Sequence, residues 1–532
     1  MTLTSDESGK MDQAAAVGAW VGGPITLHFV LAPEYVTTFA AQVAERSGAA
    51  PVESEIRIVC LDTRDDRFAR LGVCHGLKST GGPARQSSWR KFVVPLSVAT
   101  PKPSRRVLRE TLDTAGRIIA VARVEIQKRR WPLRLATCRA EVSLDSSMVL
   151  VSGKQMLLAS VTFASKAPTA DFFHFVAEIC DPAKLRLSAE TDLLRVTRLR
   201  GSGAPQHAPA FDAELSAGMN AAEGFRAIAT ACFDQFLLNE AAIRGSRDRE
   251  AVHQCRIALR RFSACRRFFS AFLAGTDYEA VKNDFKELRS RLRKARDVQV
   301  LLADVIAPAV TVDAPRGGKA LIREIEVKRD AAESELSEFL RRPETAALFL
   351  RFALWLHAGE WLRDADEERS HERARTLIKY AERKLDAENR KFLENCRAFT
   401  EMSDEDRHRM RIRAKNFRYG AEFLRPLARS ETARTRYRAF HAPLKELQTV
   451  LGDWNDILMA RRFFSAFAAE AKEEAGTKAD EKPAGRARRP ALAAGRALAK
   501  RIAALPDSDF RDRCVKACQA FQDAKPFWSK LG

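Results

Sequence analysis

Two segments of the chain carry the same arrangement of basic side chains, of a kind that suits the binding of an anion. Residues 252–269 and 407–424 share the pattern His-x-x-Arg-Ile-x-x-(Arg/Lys), at an offset of 155 residues. In a helix, spacings of three and seven place these residues on one face. Like charges on one face repel each other unless an anionic partner offsets them, so the pattern predicts an anion-binding surface. The candidate residues are His253, Arg256, Arg260 and the flanking Arg261, then His408, Arg411, Lys415 and Arg418.

A second pair of matching segments follows the two copies. Residues 285–305 and 444–463 are Leu-rich stretches with helical periodicity, and each contains an aspartate after the leucines. We therefore expect at least two long helices in each copy, and a duplicated pair of helical bundles overall. Asp297 and Asp456 are interpreted as structural partners that orient nearby arginines, not as catalysts. These segments add Arg293, Arg296 and Lys445 to the candidate anion-binding residues.

The two motif histidines allow two interpretations. In the first, His253 and His408 donate hydrogen bonds to phosphate oxygens and bind more strongly when protonated at lower pH. In the second, each histidine only braces a contact between helices. Their equivalent positions, each followed by an arginine three residues later, favour the first interpretation.

Taken together, these segments resemble the CHAD family, the conserved histidine α-helical domain. The resemblance covers about residues 222–530 and includes Lys525-Pro526-Phe527-Trp528 near the end of the chain. It implies two pseudo-symmetric helical bundles with a basic cleft between them. It also implies binding of inorganic polyphosphate and association with polyphosphate granules.

The charge pattern agrees with such a ligand. Polyphosphate has a negative charge on each phosphate and no bases, so a protein that binds it needs cations and no aromatic stacking platforms. Arginine offers a planar fork to phosphate oxygens, whereas lysine acts as a point charge. Release of counterions should make the affinity fall steeply with salt concentration.

Around these motifs the chain divides into regions of different pattern. Residues 1–23 are expected to be a disordered leader, and residues 201–221 a linker. Residues 24–200 alternate apolar and polar positions in short runs, which predicts a β-rich, mostly antiparallel barrel within an α+β domain. Residues 222–530 show helical periodicity and predict an all-α domain. The Pro/Gly/Val stretch at 307–318 is expected to interrupt the helices, and Lys472 to Pro490 to form a mobile loop.

The β-rich region resembles a CYTH-type domain, a tunnel barrel that handles triphosphates, but lacks its acidic residues. The family's chemistry needs a Glu-x-Glu-x-Lys strand, in which paired carboxylates hold a divalent metal. The corresponding strand is Pro24 to His28, with no glutamate and with His28 at the lysine position. A later Glu-rich strand falls on residues 160–163, again without acids. We therefore expect no catalytic residue, no metal site and no cofactor.

The composition and net charge exclude some classes of function but do not identify a single one. The net charge of +21 suits a polyanionic partner. The chain contains no run of about 18 apolar residues and no signal-peptide pattern, so we expect no membrane partner. None of its ten cysteines forms a CxxC pair, which is consistent with a reducing compartment. We therefore expect a cytoplasmic protein. The leading hypothesis is a non-catalytic polyphosphate-binding protein on polyphosphate granules, with granule proteins as further candidate partners. The alternatives are a CYTH-type triphosphatase or nucleotide-processing enzyme and a general nucleic-acid-binding protein.

Overall fold

A computed structural model describes residues 24–80, 89–99, 103–114, 117–201, 206–246, 248–273, 276–313, 317–475 and 508–531. The expected leader, residues 1–23, lies outside these residues, as does most of the loop expected from Lys472 to Pro490. None of the helices within the described ranges has both the length and the apolar character that a membrane span requires.

The N-terminal part is built on strands with short helices between them. The strands are β1 Ile25–Leu31, β2 Val52–Asp62, β3 Val73–Thr80, β4 Arg90–Pro95, β5 Ile119–Arg134, β6 Arg139–Val151, β7 Lys154–Ser165 and β8 Leu185–Leu187. The helices are α1 Val36–Ser47, α2 Arg67–Arg70, α3 Arg105–Thr114, α4 Ala170–Ile179 and α5 Asp192–Leu199.

The eight strands form one antiparallel sheet in the order β4-β3-β2-β5-β6-β7-β1-β8. Just beyond the two edge strands, Ser97 and Glu190 form an antiparallel bridge. Next to that bridge, Thr191 Oγ1 donates a hydrogen bond to the carbonyl oxygen of Leu96 at 2.5 Å. The sheet therefore curves until its edges meet, which agrees with the antiparallel barrel predicted from the alternating pattern.

The C-terminal part consists of helices. They are α6 Ala221–Ser246, α7 Arg249–Phe268, α8 Thr276–Val300, α9 Ala307–Asp313, α10 Gly318–Arg341, α11 Pro343–Ala358, α12 Glu367–Ala374, α13 Leu377–Arg397, α14 Asp404–Phe423, α15 Glu431–Ala475 and α16 Ser508–Gln522. The strand-rich domain followed by a helical domain confirms the predicted fold class. The prediction that residues 307–318 interrupt the helices was wrong for residues 307–313, which form α9. Helix α9 follows directly after a π-helical turn at Leu301–Ile306.

The sequence repeat coincides with a structural repeat. Helices α7 and α14 are both 20 residues long, and their first and last residues obey the same 155-residue offset. The capping residues are equivalent too, since Asp248 accepts a hydrogen bond from the Glu250 N–H and Ser403 accepts one from the Asp406 N–H. Each copy therefore begins its histidine helix with the same kind of local signal.

The two copies also meet at equivalent positions. Asn220 and Thr376, which precede α6 and α13, form an isolated antiparallel bridge. The Ala221 N–H donates to Arg375 O at 2.8 Å, and the Leu377 N–H donates to Met219 O at 2.9 Å. This reciprocal pair of hydrogen bonds is what a local two-fold relation between the copies produces.

The strand-rich and helical parts share one hydrophobic core. Phe172 and Phe173 of α4 belong to the same buried cluster as the aromatic side chains of α6, α7 and α11, and the Phe173 ring stacks on the His357 ring. A buried ion pair between Arg186 of β8 and Glu240 of α6, at 3.2 Å, crosses the same boundary. The barrel therefore packs directly onto the helices.

Candidate anion-binding site

The first copy of the motif places its cations between α7 and α8. His253, Arg256 and Arg260 lie on α7, and Arg293 and Arg296 lie on α8. Arg256 Nη1 donates to the Arg293 carbonyl oxygen at 3.2 Å and to Asp297 Oδ1 at 2.8 Å, which joins the two helices. We call these five basic residues the first-copy cluster.

The ion pair with Asp297 supports the interpretation of this aspartate as a structural partner. It holds the Arg256 guanidinium in place, and the Arg256 side chain is only 25% exposed. In contrast, Arg260 and Arg293 are exposed, and their side chains form no ion pair within the described residues. The cluster therefore has one fixed arginine between helices and two open arginines at its surface.

The electrostatics of the cluster show that it is crowded with positive charge. Burial lowers the pKa of His253 below its ordinary value, and the charges of Arg296, Arg260 and Arg256 lower it further, against a smaller opposite effect of Glu250. Burial likewise lowers the pKa of Arg296, with Arg256 and Arg260 adding to the effect. A bound anion would relieve both shifts because it stabilises the charged forms.

Two acids that the sequence did not predict, Glu250 and Asp304, face this cluster. The carboxylates of Glu250 and Asp304 favour the charged form of Arg296. Glu250 lies in the first turn of α7, where negative charge also stabilises the helix end. Its position in that turn could have been noticed from the sequence, but its orientation toward α8 could not.

Arg261 requires a correction, because it is not part of this surface. Its side chain is buried, with Nη1 donating to Gln235 Oε1 at 2.8 Å and Nη2 donating to the Phe211 carbonyl oxygen at 2.9 Å. A helical residue next to Arg260 points about 100° away, and here that direction leads into the interior. Arg261 therefore ties α7 to α6 and to the chain segment before α6.

Arg418 of α14 also has an internal role, which corrects its assignment to the anion-binding face. Its guanidinium donates to Glu422 Oε1 and to Gln448 Oε1, and the Arg418 side chain is only 17% exposed. Burial acts to raise the pKa of Glu422, but the hydrogen bond with His441 and the charges of Arg418 and Arg261 hold it below its usual value. Both corrected arginines thus compensate one partly buried carboxylate.

The rest of the second copy lies on α14 and α15. His408 is exposed near the start of α14, and Arg411 and Lys415 are partly buried on the following turns. Lys445 of α15 is exposed. The second-copy candidates are thus divided between two successive helices, as they are in the first copy. The side chain of Asp456 lies outside the described residues.

In the barrel, one face of the sheet carries a row of polar residues where the CYTH resemblance would place metal ligands. The register aligns Arg130, Ser143, Thr162 and His28 across four neighbouring strands. His28 Nδ1 lies 3.3 Å from Thr162 Oγ1. Burial lowers the pKa of His28 below its ordinary value, so its neutral form is favoured.

Two cations, one on this face and one on the helix α5 that covers it, form ion pairs with acidic side chains. Lys128 Nζ is 3.1 Å from Asp145 Oδ2, and Arg195 Nη1 is 3.0 Å from Asp192 Oδ1. Within the described ranges, no three His, Cys, Asp or Glu side chains come together in a way that could hold a metal ion. Asp145 and Asp192 are therefore each already paired with a neighbouring cation.

Comparison with known proteins bears on the helical part. Residues 227–465 match the family model of the CHAD domain, which confirms the resemblance based on the His253 and His408 motifs. A search of curated proteins found no match.

Three solved structures are similar to parts of the chain. The CHAD domain from the plant Ricinus communis is 25% identical, with a TM-score of 0.46 over 59% of this chain and 97% of that one. PptA from Streptomyces chartreusis is 19% identical, with a TM-score of 0.34 over 58% and 100% of the two chains. A putative adenylate cyclase from Bacillus halodurans is 12% identical, with a TM-score of 0.18 over 30% and 91%.

Proposed function

Since residues 227–465 form a CHAD domain, we propose that this protein binds inorganic polyphosphate without catalysis and associates with polyphosphate granules in the cytoplasm. The observation that carries the proposal is the first-copy cluster between α7 and α8. Its two exposed arginines, Arg260 and Arg293, lie beside a third that Asp297 fixes in place. The second-copy residues His408, Arg411, Lys415 and Lys445 would lengthen the binding surface along α14 and α15.

The geometry of the cluster suits a chain of phosphates. Arg260 and Arg293 can each offer a guanidinium fork to phosphate oxygens, while Arg256 stays tied to α8. The five residues of the cluster include no Phe, Tyr or Trp, the large aromatic side chains on which single-stranded nucleic acids stack their bases. This composition favours a polyanion without bases over RNA or single-stranded DNA.

Neither alternative has comparable support. A triphosphatase in the barrel would need carboxylates to hold a metal, and in the described face Asp145 and Asp192 are instead paired with Lys128 and Arg195. General nucleic-acid binding would use the same basic surface, so it differs from the proposal in ligand preference alone. Granule proteins remain candidate partners for a protein held on the granule surface.

Polyphosphate affinity should rise as the pH falls, because of His253. In the free protein, burial and the neighbouring arginines hold the pKa of His253 below 6.5. Bound phosphate raises this pKa, so binding takes up a proton once the pH falls below the pKa of the bound state, and acid then favours the complex. The internal phosphates of the polymer keep their charge in this range.

We therefore expect an affinity several-fold higher at about pH 5.5 than at about pH 7.5, at constant ionic strength. His253→Gln should remove most of this increase, whereas the exposed His174 of α4 provides a control in His174→Gln. Titration of the full chain with labelled polyphosphate measures both. No binding at either pH would refute the proposed function, and an unchanged pH profile in His253→Gln would refute the place of His253 in the site.

A further inference from the structure

Glu250 lies among the cations of the first-copy cluster. It is three residues before His253 on α7, which puts the two side chains next to each other on the helix. Its charge also acts on Arg296 of the neighbouring helix α8. The backbone N–H of Glu250 donates to Asp248 Oδ1 at 2.9 Å, which fixes the start of α7 at this point. The cluster of cations thus has an anion of its own.

Two amides hold the Glu250 carboxylate in position. Gln254 Nε2 donates to Glu250 Oε1 at 2.8 Å, and Gln235 Nε2 donates to Gln254 Oε1 at 3.2 Å. Gln235 lies on α6 and is fully buried. Because the Gln254 oxygen already accepts from Gln235, its NH2 group is left to donate to the carboxylate. The position of the Glu250 side chain is therefore supported from the interior of the protein.

The repeat shows that the second copy compensates the equivalent acid. At the 155-residue offset, Glu250 corresponds to Glu405 and Gln254 to Arg409. Arg409 Nη1 lies 3.1 Å from Glu405 Oε1, in an ion pair between residues one helical turn apart. In the first copy the neutral Gln254 takes the place of this cation, and Glu250 forms no ion pair within the described part of the chain. The charge of Glu250 is therefore left to act on the cluster.

The balance of charge around His253 depends on Glu250. The charged groups that act most strongly on His253 are Glu250, Arg256 and Arg260 of α7 and Arg296 of α8. Burial and the three arginines lower the pKa of His253, whereas the carboxylate opposes them. Two further acids belong to the same surroundings, Asp297, which is paired with Arg256, and Asp304, which acts on Arg296. A bound phosphate would act on His253 in the same sense as Glu250.

We propose that Glu250 is a positioning residue of the first-copy cluster, an internal anion that Gln254 holds beside His253 and Arg296. This role rests on the proposed function. In the free protein the carboxylate favours the charged forms of both cations, so it helps His253 to take up a proton. In the complex it repels the bound phosphates, which limits the affinity. Glu250 thus sets both the pH at which polyphosphate binding strengthens and the strength of that binding.

The variant Glu250→Gln tests this role, because its amide oxygen can still accept the hydrogen bond from Gln254 but carries no charge. The pKa of His253 should fall, since the arginines then act without the opposing carboxylate. NMR titration of the full chain with labelled histidine measures this without a ligand, and the His253 signal is the one that His253→Gln lacks. At pH 7.5 and low salt, polyphosphate affinity should rise about threefold to tenfold because a like charge is removed. The increase in affinity on acidification should begin at a lower pH.

The variant Gln254→Met tests whether the amide positions the carboxylate, since it removes the donor and keeps the size of the side chain. The pKa of His253 should fall in this variant too, and should fall no further when Glu250→Gln is already present. Glu279→Gln is the matched control. Glu279 is exposed and paired with Lys282, about 25 Å along α8 from Arg296. Its change should leave both the pKa of His253 and the affinity unaltered.

A pKa of His253 that stays the same or rises in Glu250→Gln would overturn the inference, and so would a polyphosphate affinity that falls at pH 7.5. An equal effect of Gln254→Met with and without the Glu250 carboxylate would overturn the part assigned to Gln254. If the unaltered chain bound no polyphosphate, the proposed function and the effect on affinity would both be refuted. The NMR titration contains no ligand, so it would still decide whether Glu250 acts on His253.

Discussion

Reversing the charge of Arg260 and Arg293 together is expected to weaken polyphosphate binding by at least about 100-fold at physiological salt. Each change removes a charge-assisted hydrogen bond, worth about 1.5–3 kcal/mol, and adds a like charge beside the ligand. Because the two side chains are exposed and form no ion pair among the described residues, the helical fold should be unaffected. Affinity titrations of both proteins at several salt concentrations measure the effect.

The salt dependence gives this prediction a second readout. If both arginines contact phosphate, the slope of log K against log[salt] should become shallower by about 1.4, the value expected for two lost contacts on a single strand. The control variant Arg46→Glu/Arg106→Glu changes the net charge by the same amount. Those arginines are exposed on α1 and α3 of the N-terminal part, each beside a glutamate. Equal loss of affinity in both variants would mean that only total charge matters.

Arg261→Met is expected to destabilise the protein by about 3 kcal/mol, since it leaves one buried and one partly buried polar partner without this donor. Gln235 Oε1 and the Phe211 carbonyl oxygen both lose their donor. The partly buried Glu422 also loses one of the charges that keep its pKa low. Chemical denaturation followed by helical circular dichroism measures the change.

The adjacent residue provides the matched control. Arg260→Met makes the same chemical change one position earlier, on the exposed side of α7. It should leave the denaturation midpoint within the range of ordinary surface substitutions, about 0.5 kcal/mol, and should weaken polyphosphate binding. At temperatures where both variants are folded, Arg261→Met should bind with unchanged affinity. The reverse pattern, with Arg260 stabilising and Arg261 binding, would show that the two roles are assigned the wrong way round.

The contrast between these neighbours shows what the sequence could and could not determine. Periodicity was enough to predict the strand-rich and helical parts, and the repeat was enough to place His253, Arg256 and Arg260 on one face of α7. A count of cations could not separate Arg260 from Arg261, because the burial of Arg261 depends on a segment about 50 residues earlier in the chain. The sequence predicts a linker around Phe211, and a linker-like composition does not indicate which helix the segment packs against.

Long-range packing also explains the other differences. The local pattern Arg418-x-x-x-Glu422 was visible, but the contribution of His441 to the same carboxylate depends on how α14 packs against α15. A cavity between α7, α13 and α14 is lined by residues more than 100 positions apart, from Ala264 to Gly420. By contrast, the loss of acidic residues at Pro24 and Thr26 could be seen from the sequence. The register places His28, at the lysine position, opposite Thr162, in the strand that also lacks acids.

The most direct test of the central claim is competition between polyphosphate and RNA for the full chain. Labelled polyphosphate is bound at fixed salt, and unlabelled polyphosphate or single-stranded RNA of matched phosphate number is added. Because the first-copy cluster offers cations for phosphates and no Phe, Tyr or Trp for bases, we predict that unlabelled polyphosphate displaces the label at a phosphate concentration at least about tenfold lower than RNA does. Displacement by RNA at an equal or lower concentration would contradict the assignment of this protein to polyphosphate.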